Sequence, residues 1–361
     1  MPNFEIFLRL FFALVVRHCR LVRPPPALTR PSNRVQVILV SHKTTNETGH
    51  RGQYGSERGA DHARQRSSVP DAPVTSHSYH NAPWIDIDSN PSDFGSCPEY
   101  AVEIYDNLSV SERQRRPLCS YMESIQTDVN PAMRSILVDW LVEVGVEYRL
   151  SSDTLFMSVA FLDRFLSLKD LRRNKLQLAG ITSLLVASKY EEIYAPSVEE
   201  FCFITDNTYT REEVLNMEMD LLRLLEFDLT QPNTKTFLRR YIKAASAEIS
   251  LDVVFEFLVS YLAELTLMDY SLLKFLPSQI AASCILLGLY LLNKPRWSGT
   301  LTHYSSYVPA DLKDCVEAIH QLFLHAKTSS LPASREKYSS QKYGSVSLLR
   351  APSVLPRGLF D

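Results

Sequence analysis

Two segments of this chain are apolar nearly all the way round a helix: residues 176–188, LQLAGITSLLVAS, and residues 277–292, PSQIAASCILLGLYLL. A helix without a polar face must be wrapped by its neighbours. Both segments also contain Ala, Gly and Ser, which let those neighbours come close. Each stands third in a series of five helical patterns. The first series runs over about 131–149, 152–167 and 174–190. Its fourth and fifth helices open on capping boxes, Ser197 with Glu200 and Thr210 with Glu213. The second series covers about 234–247, 251–268, 277–292, a short stretch near 301–307, and 310–326. DLTQPN at 228–233 separates the two. Alternation of Val, Ile and Thr is scarce, so no sheet is expected. The pattern predicts an all-α chain of two tandem five-helix bundles, an internal duplication at the level of helix order.

The flanks read differently. Residues 4–16, FEIFLRLFFALVV, are apolar apart from Glu5 and Arg9, and the run is shorter than the roughly 18 residues of a membrane span. It reads as a short exposed helix, with a signal peptide as the alternative. Residues 17 to about 90 are rich in Arg, Pro, Ser, Thr, His and Asn and cannot bury enough apolar surface to fold alone. The organisation expected is therefore a mostly disordered tail over 1–97, a helical arm over 98–130, a first bundle over 131–231, a second over 232–328, and a loosely ordered tail over 329–361. Asn130 caps the first bundle helix, with Pro131 in its favoured first position, and Ser152 or Asp153 caps the second.

The chain's 361 residues carry a net charge of -3, so no global basic field recruits nucleic acid. Its six cysteines are widely spaced, without a CxxC pair or Cys/His cluster, and read as reduced thiols. No phosphate loop, GxSxG, HExxH or kinase signature occurs, which leaves no catalytic or metal site to assign. His320 and His325, near the end of one helix, suit its dipole.

Three charges lie near the centres of apolar helix faces: Arg134 in MRSILVDWLVEV, Asp163 in FMSVAFLDRFL and Glu218 in VLNMEMDLLRLL. Such ions are costly unless paired, so they serve an internal lock or a partner. Lys189 ends the third helix, where it suits the dipole. With Glu218 on a neighbouring helix it could instead offer a donor and an acceptor to a partner's backbone. The first bundle helix has more apolar surface than one core needs. Met133, Ile136, Leu137 and Trp140 fall at i, i+3, i+4, i+7. They mark either a helix buried on two sides or a partly open peptide groove with Glu143 at its rim.

MRSILVDWLVEV, FLDRFL, NKLQLAGITSLLVASKYEEIYAPSVEEF and ITDNTYTREEVLNMEMDLLRLLEFDL closely resemble the cyclin box of A-type cyclins, in the style of the plant members. The resemblance spans roughly residues 84–330. It implies two stacked cyclin-fold bundles and a non-catalytic, cofactor-free subunit that binds and activates a cyclin-dependent serine/threonine kinase in nucleus and cytoplasm, controlling cell-cycle progression. Carried over residue by residue, Arg134 and Asp163 match a structural ion pair. Lys189 and Glu218 match residues that grip the kinase's regulatory helix, with Tyr190, Leu222 and Phe227 in the apolar part of that interface. Met133, Ile136, Leu137, Trp140, Glu143 and Gln177 match a patch that docks Arg-x-Leu motifs of substrates and inhibitors. Arg115 to Leu118 spells the minimal destruction motif but falls in the arm, so timed destruction is not implied. The competing classes are a transcription-factor-like nucleic-acid adaptor, which would want a basic face and a zinc ribbon, and a cyclin-fold adaptor without kinase activation.

Overall fold

The computed structural model describes residues 83–89 and 97–361. The apolar run at 4–16 and almost all of the expected N-terminal tail lie outside the described residues. Among the described residues there are thirteen α-helices and no strand. The arm holds α1 (Ala101–Gln114) and a single turn, α2 (Tyr121–Ser124). The first bundle is α3 (Pro131–Glu147), α4 (Ser152–Leu166), α5 (Leu176–Glu191), α6 (Val198–Ile204) and α7 (Arg211–Leu224). The second is α8 (Thr234–Ser246), α9 (Val253–Thr266), α10 (Pro277–Leu291), α11 (Gly299–Ser305) and α12 (Pro309–His325). A last helix, α13 (Ala333–Ser339), follows. No described helix is long and apolar enough to cross a membrane.

Local chemistry sets the helix starts. Asn130 Oδ1 accepts from Met133 N at 3.0 Å, with Pro131 in the first turn. Both expected capping boxes form, Ser197 with Glu200 and Thr210 with Glu213. The cap of α4 is Ser151, one residue earlier than expected, because its hydroxyl is the one that reaches Thr154 N at 3.1 Å. Each bundle is wrapped around its third helix. Every residue of α5 from Leu178 to Ser188 and of α10 from Ile280 to Leu289 is buried. A Cβ on Gly180 would stand 2.7 Å from Leu137 Cδ1, and one on Gly288 would stand 2.6 Å from Val259 Cγ1. The small residues are thus where α3 meets α5 and α9 meets α10.

Two flanks depart from the expected disorder. Residues 83–89 lie against the second bundle. Ile85 N and Ile87 N donate to Thr300 Oγ1 and Tyr304 Oη at 3.0 and 3.1 Å, and Trp84 stacks on His303 at 3.8 Å between ring centroids. The C-terminal segment is helical and packed rather than loose. α13 lies along α3 and α9, and Tyr338 and Val346 enter the second core. It was illegible because it has no long periodic stripe. It is held by specific polar partners: Asp139 accepts from Ala333 N at 3.0 Å, and buried Glu264 accepts from Ser334 Oγ at 3.0 Å and Lys337 Nζ at 2.5 Å.

Candidate functional site

The charges singled out by sequence divide into a closed set and an open set. Arg134 and Asp163, 1% and 2% exposed, form a two-pronged pair: Nε to Oδ1 at 2.6 Å and Nη2 to Oδ2 at 2.7 Å. Tyr121 of the arm donates to the same carboxylate at 2.8 Å. The remaining guanidinium donor, Nη1, reaches the Leu267 carbonyl at 2.8 Å, just past the end of α9. Burial opposes the arginine's charge, but Asp163 outweighs it and holds the Arg134 pKa above its usual value. Each guanidinium nitrogen and each carboxylate oxygen of this set has a partner within the chain. It ties α3, α4 and the arm to the second bundle, and the Leu267 contact was invisible to helical periodicity.

Lys189 and Glu218 form the open set. Lys189 Nζ lies 2.6 Å from Glu218 Oε1, so in the isolated chain the two complete each other. Lys189 is 46% exposed and Glu218 12%. The acidic residues beside Lys189 separate in role: Glu192 turns inward to accept from Ser151 N and Thr154 Oγ1, while Glu191 stays exposed. Apolar side chains that face water flank the pair. Tyr190 is exposed beside Lys189, and Ile193 and Tyr194 in the following turn are almost fully exposed. Phe227 is exposed and Leu222 half-buried after Glu218. Glu226 and Phe227 both adopt left-handed φ, 54° and 58°, where a non-glycine residue is disfavoured. Phe227 N bonds Leu222 O at 2.9 Å, which closes the end of α7. Sequence reasoning missed Ile193 and Tyr194; the signal was an apolar pair in a loop bounded by Pro196, where burial has no helix face to use.

The α3 stripe differs from the partly open groove expected. Leu137 and Trp140 are each 2% exposed and Ile136 is buried, while Met133, Glu143 and Gln177 are half-buried. The close approach at Gly180 seals Leu137 against α5. What reaches the surface is the Met133 end, the Glu143 rim and Gln177, whose buried Nε2 has no hydrogen-bond partner. An unmet amide donor at such an edge is costly unless water or a ligand carbonyl supplies the acceptor. Among the described residues no group of His, Cys, Asp and Glu is arranged to hold a metal ion. His320 is buried, and its Nε2 sits 2.9 Å from the Pro352 carbonyl. Since a carbonyl only accepts, that nitrogen carries the proton, and the ring serves the C-terminal segment rather than a helix end.

The comparisons with known proteins agree with this architecture. Residues 103–230 match the family model described as cyclin, N-terminal domain, and residues 232–352 that of the cyclin C-terminal domain. The chain is 52% identical over 271 residues to Cyclin-A2-2 of Arabidopsis thaliana, covering 74% of this chain and 62% of that protein. It is 50% identical to Cyclin-A2-3 of the same plant, covering 80% and 63%. It is 46% identical to Putative cyclin-A3-1 of Arabidopsis thaliana, covering 76% and 79%. The chain thus spans less than two thirds of the length of the first two. Among solved structures, a viral cyclin from herpesvirus saimiri superposes with a TM-score of 0.55 at 24% identity, covering 60% of this chain and 95% of that one, a likeness of fold.

Proposed function

The chain belongs to the cyclin family, with the A-type cyclins of plants as its relatives, and from that premise we propose that it is the regulatory subunit of a cyclin-dependent serine/threonine kinase. The observation that carries this reading is the Lys189–Glu218 pair among exposed Tyr190, Ile193, Tyr194 and Phe227. An apolar surface with a half-open ion pair suits a helix that brings its own apolar face and backbone groups. Lys189 would donate to main-chain carbonyls and Glu218 would accept from main-chain amides, while Leu222 and Phe227 lose water. The subunit does no chemistry itself. It favours the kinase conformation in which the regulatory-helix glutamate meets the ATP-positioning lysine. Activation is then a population shift powered by differential binding.

The same reading takes the edge formed by Met133, Glu143 and Gln177, with Ile136, Leu137 and Trp140 buried beneath it, as the dock for Arg-x-Leu segments of substrates and inhibitors. Glu143 receives the arginine, and Gln177 Nε2 finds in the peptide the acceptor it lacks in the chain. Control of S phase and of the G1/S and G2/M transitions, in nucleus and cytoplasm, is part of the proposal and is checked by imaging a tagged chain through the cycle. The main test is a pull-down with kinase assay on the full chain and on residues 84–361, each with and without Lys189→Ala and Glu218→Ala. Binding and activity should fall in both variants while the thermal melt stays put. If the unaltered chain leaves cyclin-dependent kinases as idle as before, the proposal fails. Glu143→Ala should slow phosphorylation of substrates that carry an Arg-x-Leu motif and spare short peptides. Equal slowing of both would remove the dock.

A further inference from the structure

A second constellation shares no residue with either surface. A cavity of about 350 Å³ opens between the bundles, where the α3–α4 turn, α8, α9 and the C-terminal segment converge. Four cations line it: Arg149, Lys235, Lys337 and Lys342. They come from four separate elements, so no single helix face accounts for the cluster. Lys337 is already matched by buried Glu264. Lys235 has only a hydroxyl, Ser260 Oγ at 3.1 Å, and burial pushes its pKa down although Asp153 nearby works the other way. Arg149 and Lys342 are exposed, and among the described residues neither lies within ion-pair distance of a carboxylate. On the opposing side, Glu256 lines the cavity, and Asp153 is held by Arg239 at 2.8 Å. The side chains that line the cavity thus carry four positive charges and one negative, with Glu264 behind Lys337 and Glu192 behind Ser151, in a chain whose net charge is -3.

Like charges held around one cavity repel, and desolvating Lys235 raises the cost. One dianion would relieve both, and the hydroxyls of Ser152 and Ser260 line the same space. The volume falls in the range of small-ligand sites and exceeds what a phosphate group fills alone. The rest of the wall is apolar: Val142, Val146, Leu150 and Leu155 line it with Phe257 and Tyr343, which stand edge-to-face at 5.5 Å between centroids, and Lys342 Nζ lies over the Tyr343 ring at 5.0 Å. A lining that combines cations with an apolar and aromatic wall fits a phosphorylated residue together with its chain neighbours. A nucleic-acid backbone would instead need a basic stripe.

We propose that this cavity between the bundles is a receptor site for a phosphorylated serine or threonine in a partner peptide, held by Arg149, Lys235 and Lys342. The site uses residues of both bundles and of the C-terminal segment, so an occupant would also fasten these three parts together. The chain alone suffices to test it, and the result stands or falls separately from the kinase reading. The probe is a short fluorescein-labelled Gly/Ala peptide with a central phosphoserine, followed by anisotropy against the full chain. Its unphosphorylated twin and inorganic phosphate are the comparison arms. The phosphopeptide should bind at least about tenfold tighter than its twin and weaken as salt rises. The doubly substituted Arg149→Gln/Lys342→Gln chain, altered only at exposed side chains, should lose about fivefold or more with its melt unchanged. Lys235→Gln should weaken binding as well. Equal binding of the two peptides, or full retention by the double variant, overturns the proposal. Binding of inorganic phosphate without the phosphopeptide overturns the peptide assignment in favour of a free anion.

Discussion

The two bundles share a helix order but settle their buried charges differently. In the first, Asp163 in the last turn of α4 is met by Arg134 of α3, within the same bundle. In the second, Glu264 in the corresponding last turn of α9 is met by Lys337, Ser334 and Tyr338 of the C-terminal segment. Arg240 of α8 is bound by Asp88 of the upstream segment and sandwiched between the rings of Tyr105 and Tyr304. The start of α10, which has no capping side chain of its own, is served by Glu112 of the arm through Ser278 N at 2.9 Å and Ser278 Oγ at 2.6 Å. The first bundle thus pairs its central ions with each other, with Tyr121 and the Leu267 carbonyl completing the set, and keeps the Lys189–Glu218 side open. The second is bound up by the chain's own flanks. In this duplicated fold, the copy whose buried carboxylate and arginine meet each other is the one that offers an open ion pair at its surface.

That contrast can be broken by mutation. Arg134→Ala should have the largest effect, about 3–5 kcal/mol in urea or thermal melts, because it strands Asp163 in the interior. A melt unchanged by it would dissolve the idea of a self-locked bundle. Lys337→Ala should cost less, about 2–3 kcal/mol, since Glu264 keeps Ser334 and Tyr338. Its signature is loss of hydrogen-exchange protection in α9 and α13 with α4 and α5 intact. Uniform loss across both bundles would mean the flanks do not stabilise the second one selectively.

Smaller effects sharpen the comparison. Gly288→Ala and Gly180→Ala should each cost about 1–3 kcal/mol by overpacking, with Gly288 the worse. It would meet β-branched Val259, whereas Gly180 would meet the more adjustable Leu137. Asp139 links α3 to the C-terminal segment, and burial, against the bond from Ala333 N and reinforced by Glu143 and Glu336, raises its pKa to about 7. The folded state therefore favours its protonated form. That contribution is complete below the ordinary value of 3.8 and is lost as pH rises through about 7. Asp139→Asn should flatten the fall in melting temperature between about pH 4 and 7, and an undiminished fall would place its origin elsewhere. Lys189→Ala should be smallest in stability, under about 1 kcal/mol, since the pair is half open to solvent.

Much of this was readable in the residues. The five-plus-five order, the central pair α5 and α10, the Asn130 cap and both capping boxes follow from spacing, because a helix's period and its first turn are local properties. The pairing of Arg134 with Asp163 was readable as a need, since two ions on apolar faces require something, and the resemblance named the partner. The sealing of Leu137 and Trp140 was not readable. A stripe of apolar residues has the same spelling whether a neighbour covers it or not, and here Gly180 let α5 close in. The docked segments at 83–89 and 331–348 were hidden for a related reason. They carry no long stripe, and single residues such as Trp84, Asp88 and Lys337 hold them by reaching sites far along the chain.

The amino-acid order by itself determined where helices begin and end and which two must sit at the centre, because periodicity and capping act over a few residues. Only the tertiary structure decided which charges close on each other, which stay open to a partner, and that Arg149, Lys235 and Lys342 share one cavity. Those outcomes depend on distances between residues far apart in the chain, and packing alone sets them.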